Sequence, residues 1–203
     1  MKVALIGASG FIGSRLLAEL AFRGHAVTAI VRNPEKVSAL QGVTAVKGDV
    51  FDKEGLTKLL AGHDAVISAV HFTASDPQAL LAAVRQSGVK RYLVVGGAGS
   101  LEVAPGVKLF DTPEFPAIYL DEAKKGGAFL ELLKQEQALD WTFLSPSALI
   151  QPGERTGTFR RGADRLLVDD KGNSAISAED YAIALVDELE KPAHSRRRFT
   201  VGY

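Results

Sequence analysis

Residues 3–13 read Val3-Ala4-Leu5-Ile6-Gly7-Ala8-Ser9-Gly10-Phe11-Ile12-Gly13, an apolar run leading straight into three glycines spaced three apart. The run is too short for a helix and has the character of a strand covered on both faces. Beyond it, Gly13, Leu16, Leu17 and Leu20 recur at i, i+3, i+4 and i+7, one face of a helix. Strand, glycine turn and helix in that order make an anion site, because the first N–H groups of the helix are unpaired and its positive dipole end points outward. Glycine lets the backbone turn sharply, approach a pyrophosphate and seat the helix on the sheet. An ordinary glycine-containing strand–helix turn is the alternative, and the glycines alone do not separate the two. Their place at the N-terminus, their flanks and the residue closing the next strand favour a nucleotide.

That next strand is read at Ala26–Val31, with Arg32 at its end, nineteen residues after Gly13. In dinucleotide folds an acid at this point holds the ribose hydroxyls, whereas a basic residue accepts a 2′-phosphate. Here no acid appears before Glu35. A guanidinium matches a phosphate bidentately, so NADP(H) is expected over NAD(H). A surface arginine closing a strand is the plain alternative.

Composition bounds the rest. With 203 residues, 46% of them hydrophobic, the chain suits one domain with its own core and needs neither metal nor disulfide to fold. Basic and acidic residues number 24 each, so the net charge is zero and nothing favours a nucleic acid or an anionic membrane as partner. Cysteine is absent, which removes disulfides, thiolate ligation and thiol nucleophiles. The chain starts with a strand, shows no signal-peptide pattern and has no apolar run long enough to span a bilayer, so a soluble cytoplasmic protein is expected. No grouping of His with carboxylates suggests a metal.

Further strands are read at 43–47, 65–70, 92–95, 141–144 and 199–201, alternating with helices that start at Asn33-Pro34 (to about Leu40), Asp52, Asp76-Pro77 and Ser177, and one around 128–138. This alternation implies right-handed crossovers and an α/β fold with a Rossmann-type doubly wound parallel sheet of about seven strands, a three-layer sandwich. Residues 1–203 form a single domain in this reading, with two irregular excursions at 101–122 and 151–173. Both follow strand C-termini, the rim where open α/β sheets bind ligands, and are expected to build a small substrate-side lobe. Arg155, Arg160 and Arg161 in the second are taken as solvated.

The set Gly7-x-x-Gly10-x-x-Gly13, Arg32-Asn33-Pro34 and Gly48-Asp49-Val50 resembles the short-chain dehydrogenase/reductase superfamily. Val94–Leu101, Asp140–Pro146, Pro152–Gly157 and Ile176–Ala182 place the resemblance in its atypical NAD(P)H-binding branch: NmrA-like proteins, biliverdin reductase B and bacterial NADH-flavin reductases. It covers essentially the whole chain. It implies that Gly7, Ser9, Gly10, Phe11, Ile12 and Gly13 line the pyrophosphate and ribose, Arg32 the 2′-phosphate, and Asp49 and Val50 the adenine edge. Ala69, Val70 and His71 would border the adjoining ribose, Gly97 and Ser100 the nicotinamide, and Ser145 and Pro146 the carboxamide.

One departure stands out. The superfamily's acid–base pair is Tyr-x-x-x-Lys, but four residues after Tyr119 comes Ala123, and Lys124 is one place too far, about 100° round a helix. A flavin acceptor needs that relay least, since its oxidised ring is already an electron sink. The expected function is therefore an NAD(P)H-dependent, NADPH-preferring reductase that passes hydride directly to a flavin or flavin-like quinone, with flavin as substrate rather than bound cofactor. Ser100 and Tyr119 are its candidate catalytic residues. His71 is a proton donor, a substrate contact or a structural residue. A non-catalytic NADP(H)-binding redox sensor of NmrA-like type is the alternative, and monomer and homodimer are both open.

Overall fold

Five short apolar runs become the first five strands, four of them largely buried on both faces and the third, at the sheet edge, only half-buried. In the computed structural model, which describes all 203 residues, these are β1 (Lys2–Ile6), β2 (Ala26–Val31), β3 (Val43–Lys47), β4 (Ala65–Ser68) and β5 (Arg91–Val95). Between them lie α1 (Phe11–Phe22), α2 (Lys53–Leu60) and α3 (Pro77–Gln86). Two of the caps read from the sequence are made here: Asp52 accepts from the Gly55 amide at 3.0 Å, and Asp76 from those of Gln78 and Ala79 at 2.9 and 3.0 Å. Each such cap contributes about 1 kcal/mol.

The second half supplies a hairpin of β6 (Glu102–Ala104) and β7 (Val107–Lys108), then α4 (Leu120–Lys134) and β8 (Asp140–Ser145). It continues with β9 (Leu149–Gln151), β10 (Arg160–Gly162), β11 (Ala175–Ser177), α5 (Ala178–Glu190) and β12 (Arg197–Gly202). The main sheet has eight strands in the order β3-β2-β1-β4-β5-β8-β12-β10, all parallel except the edge strand β10, which runs antiparallel to β12. β9 and β11 form a small parallel sheet of their own.

Successive strand residues feed opposite cores, as the period-2 geometry of a strand requires. Val3 and Leu5 join Leu16, Leu17 and Leu20 of α1 and Tyr181, Leu185 and Val186 of α5 on one face. Ala4 and Ile6 join Leu56 and Leu60 of α2, Leu80 and Val84 of α3, and Phe129 and Leu133 of α4 on the other. The result is the doubly wound three-layer sandwich expected from the sequence, with the order reversing between β1 and β4. No helix is long and apolar enough to cross a membrane.

Four local expectations are corrected. The helix expected to run to Leu40 is a single 3-10 turn, Pro34–Lys36, with no buried residue to hold a longer one against the sheet and no side-chain cap from Asn33. The helix expected around 128–138 starts eight residues earlier, at Leu120, and ends at Lys134. The main sheet has eight strands rather than seven, because Arg160–Gly162 of the second excursion adds an edge. The strand expected at 65–70 stops at Ser68, leaving Ala69 and Val70 in the turn beyond it.

Candidate functional site

Gly7 sits at a φ of +84°, and a Cβ there would approach the Ala69 carbonyl oxygen to 2.5 Å. A Cβ on Gly13 would overlap the Gly7 carbonyl oxygen itself. Gly10 closes the turn by donating its amide to that same oxygen at 3.0 Å. These glycines therefore bring α1 down onto the β1 turn and the β1 turn onto the end of β4. No side chain caps α1 and no acid lies in its first turn. The amides of Phe11, Ile12 and Gly13 have no partner within the protein. Ser9, Gly10 and Phe11 are exposed at this mouth, with the Arg15 guanidinium stacked 4.9 Å from the Phe11 ring centre and Ile12 half-buried behind. An uncapped helix start without a nearby carboxylate is built for an anion.

The other residues expected to hold a cofactor lie at the C-terminal ends of neighbouring strands on the same rim. Arg32 ends β2, is exposed and has neither an ion-pair nor a hydrogen-bond partner. Asp49 and Val50 follow β3, the Asp49 carboxylate accepting from the Phe51 amide at 2.9 Å. Gly48, just before them, leaves room for Ile30 and Leu59, which a Cβ would meet at 2.5 and 2.9 Å. Ala69, Val70 and His71 follow β4. Gly97 follows β5 with open space where a side chain would stand. Ser145 and Pro146 close β8, and the wholly buried Ser145 hydroxyl has no hydrogen-bond partner.

Across the β4 and β5 turns, α4 packs by its small residues. Gly99 of the β5 loop lies against Ala123, and Gly127 against Phe110. Gly126 lies under the Phe72 ring, which also stacks on Phe143 at 6.2 Å. Phe72 and Phe110 are thus packing residues. Tyr119 forms the N-cap of α4 and is 61% exposed, with Ile118 beside it 83% exposed, and Lys124 points to solvent. Ser100 is buried, its hydroxyl accepting from Arg198.

Glu122 carries no local signal of its role. Its carboxylate reaches from α4 to the turn after β4, accepting from the Phe72 amide at 2.8 Å, the Thr73 amide at 2.9 Å and the Thr73 hydroxyl at 2.6 Å. The His71 ring nitrogen Nδ1 stands 3.3 Å from its Oε1. Partial burial pushes this carboxyl up, but the Thr73 and Phe72 hydrogen bonds outweigh it and hold Glu122 below the usual carboxylate range. These partners lie about fifty residues away in sequence, so only the fold unites them.

The arginines of the second excursion lie exposed, as expected, and each also has partners within the protein. Arg155 grips Glu19 of α1 with two bonds at 2.8 and 2.9 Å, and Arg161 reaches Asp187 of α5 at 2.9 Å. Arg160 donates to the Val168 and Tyr203 carbonyls. The first turn of α5 completes the attachment. Asp180, fully buried, accepts from the Thr156 hydroxyl at 2.5 Å, the Gly157 amide at 2.8 Å and the Tyr203 hydroxyl at 2.8 Å. Ser177 caps the helix as expected, receiving the Asp180 amide at 3.0 Å.

At the far end of the strands His194, in the loop between α5 and β12, joins a network around the buried Glu188. Glu188 accepts from Arg91 at 3.0 Å, from the His194 amide and ring at 2.8 Å each, and from the Ala193 amide at 3.1 Å. No cluster of three or more potential metal-ligating side chains occurs.

A family model described as NAD(P)H-binding matches residues 7–192. The uncharacterized protein YwnB of Bacillus subtilis is 46% identical over 211 residues, spanning 99% of this chain and 98% of that one. A solved structure from Bacteroides thetaiotaomicron, provisionally described as an epimerase, shares 46% identity and superposes with a TM-score of 0.95 over 100% of this chain and 96% of that one. Another from Streptococcus pneumoniae, provisionally described as an NADH-flavin reductase, shares 38% identity with a TM-score of 0.84, over 100% of this chain and 99% of the other.

Proposed function

The chain belongs to the NAD(P)H-binding family, and from that membership we propose that it is an NADPH-preferring reductase passing hydride directly to a flavin or flavin-like quinone. The resemblance to the NmrA-like branch and its NADH-flavin reductases agrees with the family match and the Streptococcus pneumoniae neighbour. The family assignment supports NAD(P)H binding and oxidoreductase chemistry; the preference and the acceptor are our reading.

The observation that carries it is the rim itself, where the unpaired α1 amides and the unpaired Arg32 guanidinium lie at the ends of adjacent strands. In this reading the glycine turn and α1 amides hold the pyrophosphate, Arg32 the 2′-phosphate, and Asp49 and Val50 the adenine edge. The unpartnered Ser145 hydroxyl suits a carboxamide at the end of β8. When bound, the reduced nicotinamide supplies a hydride and its two electrons. The protein's part is to bind, orient and shield, with Ile118 and Tyr119 offering an exposed apolar face to a flat acceptor. Direct transfer is favoured by α4, where Tyr119 precedes the helix proper and Ala123 occupies the place of the relay lysine.

Loss of reduced-nicotinamide absorbance with FMN or a quinone, measured for NADPH and NADH beside calorimetric binding of NADP+ and NAD+, tests this. Acceptor-dependent turnover with NADPH preferred is the expected result. Tight NADP+ binding with no turnover on any acceptor would leave the redox sensor instead.

A further inference from the structure

We propose that His71 and Glu122 form a proton-donating dyad at the acceptor edge of the rim, fitting the site to quinones, which take up a proton with the hydride. This rests on the reductase reading above and deepens it.

His71 lies in the turn three residues past β4, next to Val70, whose Cγ1 packs beside the Gly7 turn. It therefore stands at the switch point of the sheet, where ligands of open α/β folds cross. Its side chain is 81% exposed and Nδ1 meets Glu122 Oε1 at 3.3 Å. Nε2 has no partner in the protein. A carboxylate at Nδ1 fixes the proton there in the neutral ring and turns Nε2 to the open rim. Glu122 is well placed for this because three further donors fix its orientation. Nearby charges are committed elsewhere or face water. Asp76 caps α3, Asp121 pairs with Lys125 at 3.1 Å, and Lys124 is exposed.

The site thereby regains, on the β4 turn, the proton source that α4 lacks without a Tyr-x-x-x-Lys pair. The doubly protonated His71 ring gives its Nε2 proton to a quinone oxygen, breaking N–H and forming O–H, which leaves the neutral Nδ1–H ring to take up a proton from the bulk solvent. The hydride and both electrons come from the reduced nicotinamide, which leaves oxidised. Hydride plus one proton converts quinone to hydroquinone. A flavin accepts hydride as a stable reduced anion and needs the dyad less.

The experiment compares menadione and FMN as acceptors for NADPH oxidation across pH in the wild type and His71→Gln, with imidazole ¹⁵N shifts recorded in the wild type and Glu122→Gln. Wild-type quinone turnover should fall as pH rises and the imidazolium is lost. In H71Q that limb should vanish, and the quinone-to-flavin rate ratio should drop roughly 10²-fold, the scale of general acid catalysis. The ¹⁵N shifts should place the proton of the neutral ring on Nδ1 in the wild type and show that preference lost in E122Q, a readout independent of turnover. Equal loss with both acceptors in H71Q, a surviving limb, or a tautomer unchanged in E122Q would overturn the dyad alone. NADP+ binding without turnover on either acceptor overturns the reductase reading and the acid together.

Discussion

Arg198 donates from Nη1 to both the carbonyl and the hydroxyl of Ser100, at 3.0 and 2.9 Å, across ninety-eight residues of chain. The same guanidinium reaches the Asp164 carboxylate at 2.9 Å from Nε and 2.6 Å from Nη2. Beside it the Glu102 amide donates to the Asp164 carbonyl at 2.8 Å, and the Leu166 amide returns to the Glu102 carbonyl at 2.9 Å. One β12 side chain thus ties the residue that precedes the first excursion to the second, beside the backbone bonds that join the two.

Arg198→Ala is expected to leave the Ser100 carbonyl and Asp164 without their charged donor, lowering stability by about 2–3 kcal/mol. The acceptor KM should rise about tenfold or more, while the Kd for NADP+ stays within about twofold, because the glycine turn lies elsewhere on the rim. Thermal denaturation and steady-state kinetics check the two halves separately.

Gly13→Ala should weaken NADP+ binding by at least about tenfold and cost about 1–3 kcal/mol of stability. Its methyl would enter the Gly7 carbonyl, pushing α1 off the turn that directs its free amides. Calorimetry and denaturant unfolding read both. Unchanged binding would mean that the amides are not what holds the ligand.

Arg32→Ala should remove a charge-assisted pair with a 2′-phosphate, worth about 1.5–3 kcal/mol, or roughly 10- to 100-fold in the Kd for NADP+. Affinity for NAD+ should change by less than about threefold. Equal losses for both dinucleotides would show Arg32 to be no phosphate reader.

The central sheet and its glycine turn were legible in the sequence because their causes are local: apolar runs set the strands, and Asp52, Asp76 and Ser177 cap the helices they precede. The early start of α4 has a weak local signal, because Gly126-Gly127 are poor helix formers. The structure needs both glycines, since Phe72 and Phe110 pack where side chains would stand. β10 was hidden because Arg160-Arg161-Gly162 carries no alternation, and its pairing with β12 comes from the fold. Beyond the glycine turn and Arg32, the rim positions came from the family resemblance, and in the fold they lie at or just past strand C-termini. Glu122 and Arg198 were invisible because their roles depend on partners roughly fifty and a hundred residues distant.

The Glu188 network makes a pH prediction. Burial pushes this carboxyl up, but the hydrogen bonds from the His194 side chain and the His194 and Ala193 amides outweigh it and lower it from its ordinary 4.5. A carboxylate lowered by folding adds stability above its unfolded value and loses it as pH falls through the folded one. Glu188→Gln should therefore cost about 3 kcal/mol at neutral pH by stranding Arg91. The gap to wild type should narrow as the pH drops below 4.5. Denaturant titrations at a series of pH values would show it, and a constant gap would rule out Glu188 as a source of acid lability.

Arg91 opens β5, and Gly97 lies just past its other end. At about 3.3 Å per residue, some 20 Å of sheet separates the two. Substitutions that far apart add rather than interact. The lower end is therefore where an engineer should look for thermal robustness, recombining replacements around Arg91 and Glu188 freely with changes of coenzyme preference at the upper end.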